Sequence, residues 1–208
     1  MKSIDELIEG AGDLAGRGLS RGEVADELNV SRETAEWLIA RSDAGETTAA
    51  QRSGPSPTDV HVDWSTLGSD SERLHYIGAA MADVIRDSVD AESVDITVGI
   101  GKSGGPLATT ISETLETDLG VYMPSKYYHD EEGRTGTFSR NFGGVDDATC
   151  VIVDDNIDTG QTMTETVDEI RARGGDPVAA IVLTDKRGDD AISGVPVYSM
   201  IDILNVSE

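Results

Sequence analysis

A single cysteine, four lysines and 4% aromatic residues are all that the 208-residue chain holds of these types. Cys150, alone inside the apolar run ATCVIV, excludes an internal disulfide and fits a reducing compartment. No stretch approaches the ~20 apolar residues of a membrane-spanning helix. The opening MKSIDELIEG has neither the basic nor the apolar region of a secretory signal, so a cytoplasmic protein without a membrane partner is expected. Positive charge is scarce as well: 16 Lys and Arg stand against 40 Asp and Glu, a formal net charge of −24. The imbalance is spread along the chain, with 6 basic against 11 acidic residues up to Gly54 and 10 against 29 beyond it, so no acidic tail accounts for it.

What is present is a foldable pattern. Hydrophobic residues make up 38% of the chain and fall in periodic segments, which excludes wholesale disorder. So many carboxylates repel one another in dilute buffer, whereas in molar salt the Debye length falls to about 3 Å. A halophilic protein is the expectation.

The segment DAGETTAAQRSGPSP, residues 43–57, lacks apolar periodicity and reads as a linker between a helical region, 1–42, and an α/β region, 58–208. In the helical region Ile4, Leu7, Ile8 and Leu14 follow helical spacing up to Gly16–Gly18. Ser20 and Glu23 then form a capping box ahead of Val24, Ala25 and Leu28. Ser31 is a second N-cap, opening a helix that carries Ala35, Trp37, Leu38 and Ile39. Three short helices with a tight turn before the last describe a helix-turn-helix, its reading helix starting near Arg32. In the α/β region a helix is expected over about 70–88, with buried strands at 94–100, 148–153, 178–184 and 195–201. Glycine-containing loops and helices follow the first two strands, the second helix running over Met163–Arg173. That alternation implies a mainly parallel α/β sheet with ligands at its carboxyl edge.

Chemistry concentrates in VIVDDNIDTGQTM, residues 151–163. Asp154 and Asp155, at the end of a buried strand, suit paired hydroxyls. The loop Asp158, Thr159, Gly160, Gln161 and Thr162 offers hydroxyls and backbone amides at a helix start, which suits a phosphate. A second loop, Gly101, Lys102, Ser103, Gly104 and Gly105, is no Walker A motif, since the glycine required five residues before Gly101 is Ile96.

An apolar strand, two acids and a Thr-Gly-x-Thr loop together resemble the phosphoribosyltransferase family, and the α/β region is most similar to its orotate members. The resemblance implies a type I phosphoribosyltransferase-like fold behind the helix-turn-helix domain. It also implies phosphoribosyl pyrophosphate as ligand, with Mg²⁺ as its companion ion and no protein metal site. Asp154 and Asp155 would take the ribose hydroxyls, Asp158–Thr162 the 5′-phosphate, and Gly101–Gly104 with Lys102 the pyrophosphate. Two departures stand out: Asn156 replaces the usual apolar residue after the acids, and the catalytic loop Arg-Lys-x-x-Lys-x-His-Gly is matched in Ser125–Glu132 only by Lys126. Ser125, His129 and Glu131 stand at the other three basic positions, with Asp130 and Glu132 beside them, where departing pyrophosphate needs cations. Arg134 and Arg140 are candidates to replace them, though both also read as solvated charges; Asp185-Lys186-Arg187 partly matches a base-site motif.

Over its whole length the chain resembles the haloarchaeal GfcR-type family of orotate phosphoribosyltransferase-like regulators of sugar catabolism. That resemblance implies double-stranded DNA as partner, a homodimer and a phosphorylated small-molecule effector. Ser31, Arg32, Thr34 and Arg41 are the candidate DNA contacts, although Glu33 and Glu36 share their helix. An active phosphoribosyltransferase, with Lys126 catalytic, and a helical module used for assembly are the competing readings.

Overall fold

The structure, a computed structural model, describes residues 3–43, 59–128 and 136–204. It falls into two compact units, Met1–Thr66 together with Lys126–Glu131, and Leu67–Ser125 together with Glu132–Glu208.

Three helices build the first unit: α1 (Ile4–Gly16), α2 (Arg21–Leu28) and α3 (Arg32–Asp43). Reciprocal capping boxes start α1 and α2. Ser3 and Glu6 exchange side-chain-to-backbone bonds in one, and Ser20 and Glu23 do so in the other, as expected. The α2–α3 turn passes through Asn29 in the left-handed region (φ 50°), a conformation asparagine tolerates. Leu7, Ala11, Val24, Ala25, Leu28, Val30, Ala35 and Leu38 form the core. Ile4, expected on that face, stands 54% exposed in the first helical turn. The turn is braced by Asp59, whose carboxylate accepts the Ser31 amide at 2.6 Å, and by His61, whose Nδ1 bonds the Leu28 carbonyl. A single turn, α4 (Ser65–Gly68), follows.

The second unit is a seven-stranded sheet between helices. Its elements are α5 (Ser71–Ser88), β1 (Ile96–Ile100), α6 (Gly101–Leu115), β2 (Asp118–Met123), β3 (Thr137–Phe138), β4 (Thr149–Ile157), α7 (Gln161–Ala172), β5 (Asp176–Asp185), β6 (Ala191–Ile192) and β7 (Val195–Asp202). The order is β3-β2-β1-β4-β5-β7-β6; the five central strands are parallel, and two-residue antiparallel strands end each side. On one face Met81, Ile85, Leu107 and Ile111 of α5 and α6 pack on Val151, Val153 and Ile181. On the other, Met163, Val167 and Ile170 of α7 pack on Val98, Ile152 and Val182.

Two boundaries differ from expectation in ways that matter for the site. β4 does not stop at Val153 but carries the acid pair within it, because Asp154 and Asn156 stay in register with Val182 and Thr184 of β5. The glycine segment after β1 is the first turn of α6 rather than a loop. The described residues include no helix long and apolar enough to cross a membrane.

Candidate ligand site at the carboxyl edge of the sheet

The site is assembled where β1 ends beside the acid pair of β4. Asp155 is buried and its neighbour Asp154 partly so. The Asp154 carboxylate accepts the Asp155 amide at 2.9 Å, which fixes one oxygen against the backbone. Asn156 is accommodated because its side-chain oxygen accepts the Thr184 hydroxyl at 2.8 Å; a polar residue there is satisfied across the sheet.

Beyond β4 the chain turns through Asp158, Thr159 and Gly160 into α7. Gly160 has φ 76°, a conformation that disfavours any side chain, and a Cβ there would also collide with the Arg187 guanidinium. Arg187 donates to the Thr159 carbonyl at 3.1 Å and pairs with Asp189, so it braces the turn from outside. Gly160 itself caps α7 without a side-chain bond. The amides at this helix start, with the Thr159 and Thr162 hydroxyls, suit an anion.

The α6 start meets this acid pair directly. A Cβ on Gly104 would run into the Val153 carbonyl and lie 3.2 Å from Asp154 Oδ1, so the absence of a side chain is what lets the helix seat against β4. Gly99 has the same function on β1, its Cα facing Gly105 and Ala108. Gly101 and Gly104 are buried, Lys102 exposed and Ser103 intermediate. The structure thus brings Asp154, Asp155 and Gly101–Gly104 to one edge, next to the turn Asp158–Thr162. Carboxylates next to backbone amides at helix starts on adjacent strands suit a phosphorylated polyol.

Other candidates belong to other elements. Lys126 belongs to the first unit, where its ammonium pairs with Asp26 of α2 at 2.8 Å. Ser31 accepts the Thr34 amide at 3.1 Å and donates to the Thr34 hydroxyl at 2.9 Å, so both serve the start of α3. Arg32 is exposed and lies 3.6 Å from Glu36, while the Arg41 guanidinium stacks 4.2 Å over Trp37. Arg140 is exposed; His129, Asp130, Glu131, Glu132 and Arg134 lie outside the described residues, as does the segment 44–58.

Sequence reasoning missed Glu165. Its carboxylate on α7 gathers the Tyr122 hydroxyl, the Ser125 amide and hydroxyl, and the Gly136 amide, all within 3.0 Å. Burial first, and the Glu165 carboxylate next, push the Tyr122 hydroxyl far above its usual pKa, so it stays a donor. The donors lie 29–43 residues from Glu165 in the chain, and no local pattern announces them. Among the described residues no group of three or more His, Cys, Asp or Glu could hold a metal ion.

Residues 63–205 match the phosphoribosyl transferase domain. The orotate phosphoribosyltransferase of Aeropyrum pernix superposes with TM-score 0.55 at 21% identity, over 76% of this chain and 86% of that one, which shows a shared type I fold. A protein named transcriptional regulator GfcR from Haloarcula marismortui is 54% identical over 99% of this chain and 97% of its own length. Its namesake in Haloferax volcanii is 50% identical over the full length of both, and a Methanosarcina barkeri relative is 42% identical over 99% of this chain and all of its own. Matching the phosphoribosyl transferase domain over residues 63–205 and these regulators over almost its whole length, the chain belongs to the GfcR family of transcriptional regulators with a phosphoribosyl transferase domain.

Proposed function

We propose that the chain is a DNA-binding regulator of central sugar catabolism that works as a homodimer in a high-salt cytoplasm. Its second unit senses a phosphorylated metabolite such as phosphoribosyl pyrophosphate without turning it over. The observation that carries this reading is the engagement of Lys126 by a carboxylate of the protein itself. Asp154, Asp155, the turn Asp158–Thr162 and the α6 start converge at one edge, while Lys126, the one match to the catalytic loop, is engaged by Asp26. Transfer to a base requires cations at the departing pyrophosphate, and Ser125 spends its hydroxyl and amide on Glu165.

Asp154 and Asp155 present the hard oxygen donors that Mg²⁺ takes when it accompanies a phosphorylated ligand. They would orient the sugar hydroxyls, and Gly101–Gly104 with Lys102 would receive the diphosphate end. In the first unit Arg32 and Arg41 on α3 are the side chains proposed to reach DNA, with Ser31 and Thr34 setting the start of that helix. In molar salt counterion release contributes little, so affinity rests on base contacts, shape and the avidity of two copies.

Calorimetry with phosphoribosyl pyrophosphate and Mg²⁺ in molar KCl, run beside a pyrophosphate-release assay with orotate and purine bases, tests the sensor. Binding without release is expected, and base-dependent release at enzyme-like rates would replace this reading with a transferase. A gel shift tests the DNA arm. Arg32→Ala is expected to lose binding with its fold intact, and unchanged binding would sink the role given to α3.

A further inference from the structure

We propose that Glu165 is a positioning residue of the ligand site, relaying occupancy of the phosphate turn to the two chain positions, Ser125 and Gly136, that flank residues 126–135. The assignment rests on the sensor reading above and adds a route by which the second unit responds internally to its ligand.

Glu165 lies in the second turn of α7, four residues after Gln161, the first residue of the helix. A phosphate on Asp158–Thr162 therefore pulls on the end of α7 that bears this side chain. Oε1 accepts the Tyr122 hydroxyl at 2.8 Å, the Ser125 amide at 2.9 Å and the Gly136 amide at 3.0 Å; Oε2 accepts the Ser125 hydroxyl at 2.8 Å. A carboxylate offers about four acceptor sites, so Glu165 is spent on the protein and positions rather than touches a ligand. Bonds to an ionised acceptor are the stronger kind. Gly136 is shaped for the arrangement, since a Cβ there would run into the Tyr122 hydroxyl and lie 2.7 Å from Glu165 Oε1.

The far side of the contact is stiff. Tyr122 is fully buried and packs on Phe138 with ring centroids 5.0 Å apart. The Arg173 guanidinium, at the carboxyl end of α7, lies 4.9 Å over the same Phe138 ring. The helix is thus tied to β2 near its start and to β3 at its carboxyl end, and a small shift at its start is passed to Ser125 and Gly136.

Amide hydrogen exchange reads these bonds themselves, because the Ser125 and Gly136 amides are donors to Glu165. Full-length wild type, Glu165→Gln and Ser125→Ala would be compared in molar KCl with and without saturating ribose 5-phosphate, binding being confirmed by calorimetry on the same samples. In wild type the ligand is expected to slow exchange at both amides by roughly 5-fold or more, the lower end of ordinary site-to-site coupling. In Glu165→Gln the basal exchange rises and the ligand-dependent slowing falls toward one-fold while ribose 5-phosphate still binds. Ser125→Ala, which deletes one bond only, gives a partial loss and serves if Glu165→Gln does not fold. Equal slowing in wild type and variants, or none in loaded wild type, would overturn the role of Glu165 alone. A wild type that binds no ribose 5-phosphate would overturn the sensor reading and this assignment with it.

Discussion

Two adjacent glycines at the start of α6 have opposite demands, and replacing each by alanine separates packing from backbone freedom. At Gly104 a Cβ would stand closer than 3.0 Å to the Val153 carbonyl, 3.1 Å from Asp154 Cα and 3.2 Å from Asp154 Oδ1. The obstacle is backbone of a central strand, which cannot swing aside as a side-chain tip would. Overpacking of this kind costs about 1–3 kcal/mol, against a gain of up to about 1 kcal/mol for alanine over glycine in a helix. At Gly105 a Cβ would meet nothing within 4 Å. There the same gain of roughly 0.5–1 kcal/mol is offset by the clash of Cβ with the following Pro106, which disfavours helical backbone at the preceding residue. Gly105→Ala should therefore be close to neutral. Gly104→Ala should lower Tm by several degrees, at roughly 2–4 °C per kcal/mol for a chain of this size, and weaken phosphoribosyl pyrophosphate because the α6 start is pushed from Asp154. Thermal unfolding and calorimetry in molar KCl measure both. Equal Tm and affinity for the two variants would refute the claim that contact with β4 fixes the α6 end of the site.

Three further outcomes follow from the geometry. Burial, and then Asp95 and Asp176, push the Cys150 thiol up to about 12, so the folded protein should resist alkylation at pH 8 and react on unfolding; since the folded value exceeds the ordinary 9.0, this group's share of stability is full below pH 9 and declines from there toward pH 12. Lys126→Ala leaves Asp26, whose Oδ2 is buried without a hydrogen bond among the described residues, lacking its 2.8 Å partner, and should destabilise the first unit by about 1–2 kcal/mol, between exposed and buried pairs; an unchanged denaturation midpoint would argue against the pair. Ser31→Ala removes the α3 cap and should cost about 1 kcal/mol, with Ser31→Asp restoring most of the stability in the same melt; no recovery would point to a role other than capping.

Features written in neighbouring residues are legible in the sequence. The Ser20–Glu23 box, the tight turn before the third helix, the strand–turn–helix around Asp154–Thr162 and the mainly parallel sheet all rest on spacing of a few residues, and the fold bears them out. Apolarity stops at Val153 and so misplaces the strand end there. The ladder does not stop, as Thr184 satisfies Asn156 from β5. The first five residues of α6 hold three glycines, and their helical form follows from seating on β4, a contact between positions some fifty residues apart. β3 and β6, at two residues each, are too short to show a period. Glu165 and the Asp26–Lys126 pair escape for the same reason: their partners are 29–100 residues away, and a charged residue looks alike whether it is solvated or holding four donors.

The margins of the sheet bear on behaviour in brine. Where β3 stops short, the outer rim of β2 is completed by the Ser139 amide on the Val121 carbonyl at 2.9 Å and the Gly143 amide on the Leu119 carbonyl at 2.8 Å. At the opposite margin β6 occupies Val195 and Pro196 of β7, and proline offers no donor. A chain with a net charge of −24 is kept apart from its neighbours by repulsion in dilute buffer, but at molar salt that repulsion reaches only about 3 Å. Colloidal protection must then come from shape, and a β2 rim already furnished with hydrogen-bond partners gives an incoming strand little to extend.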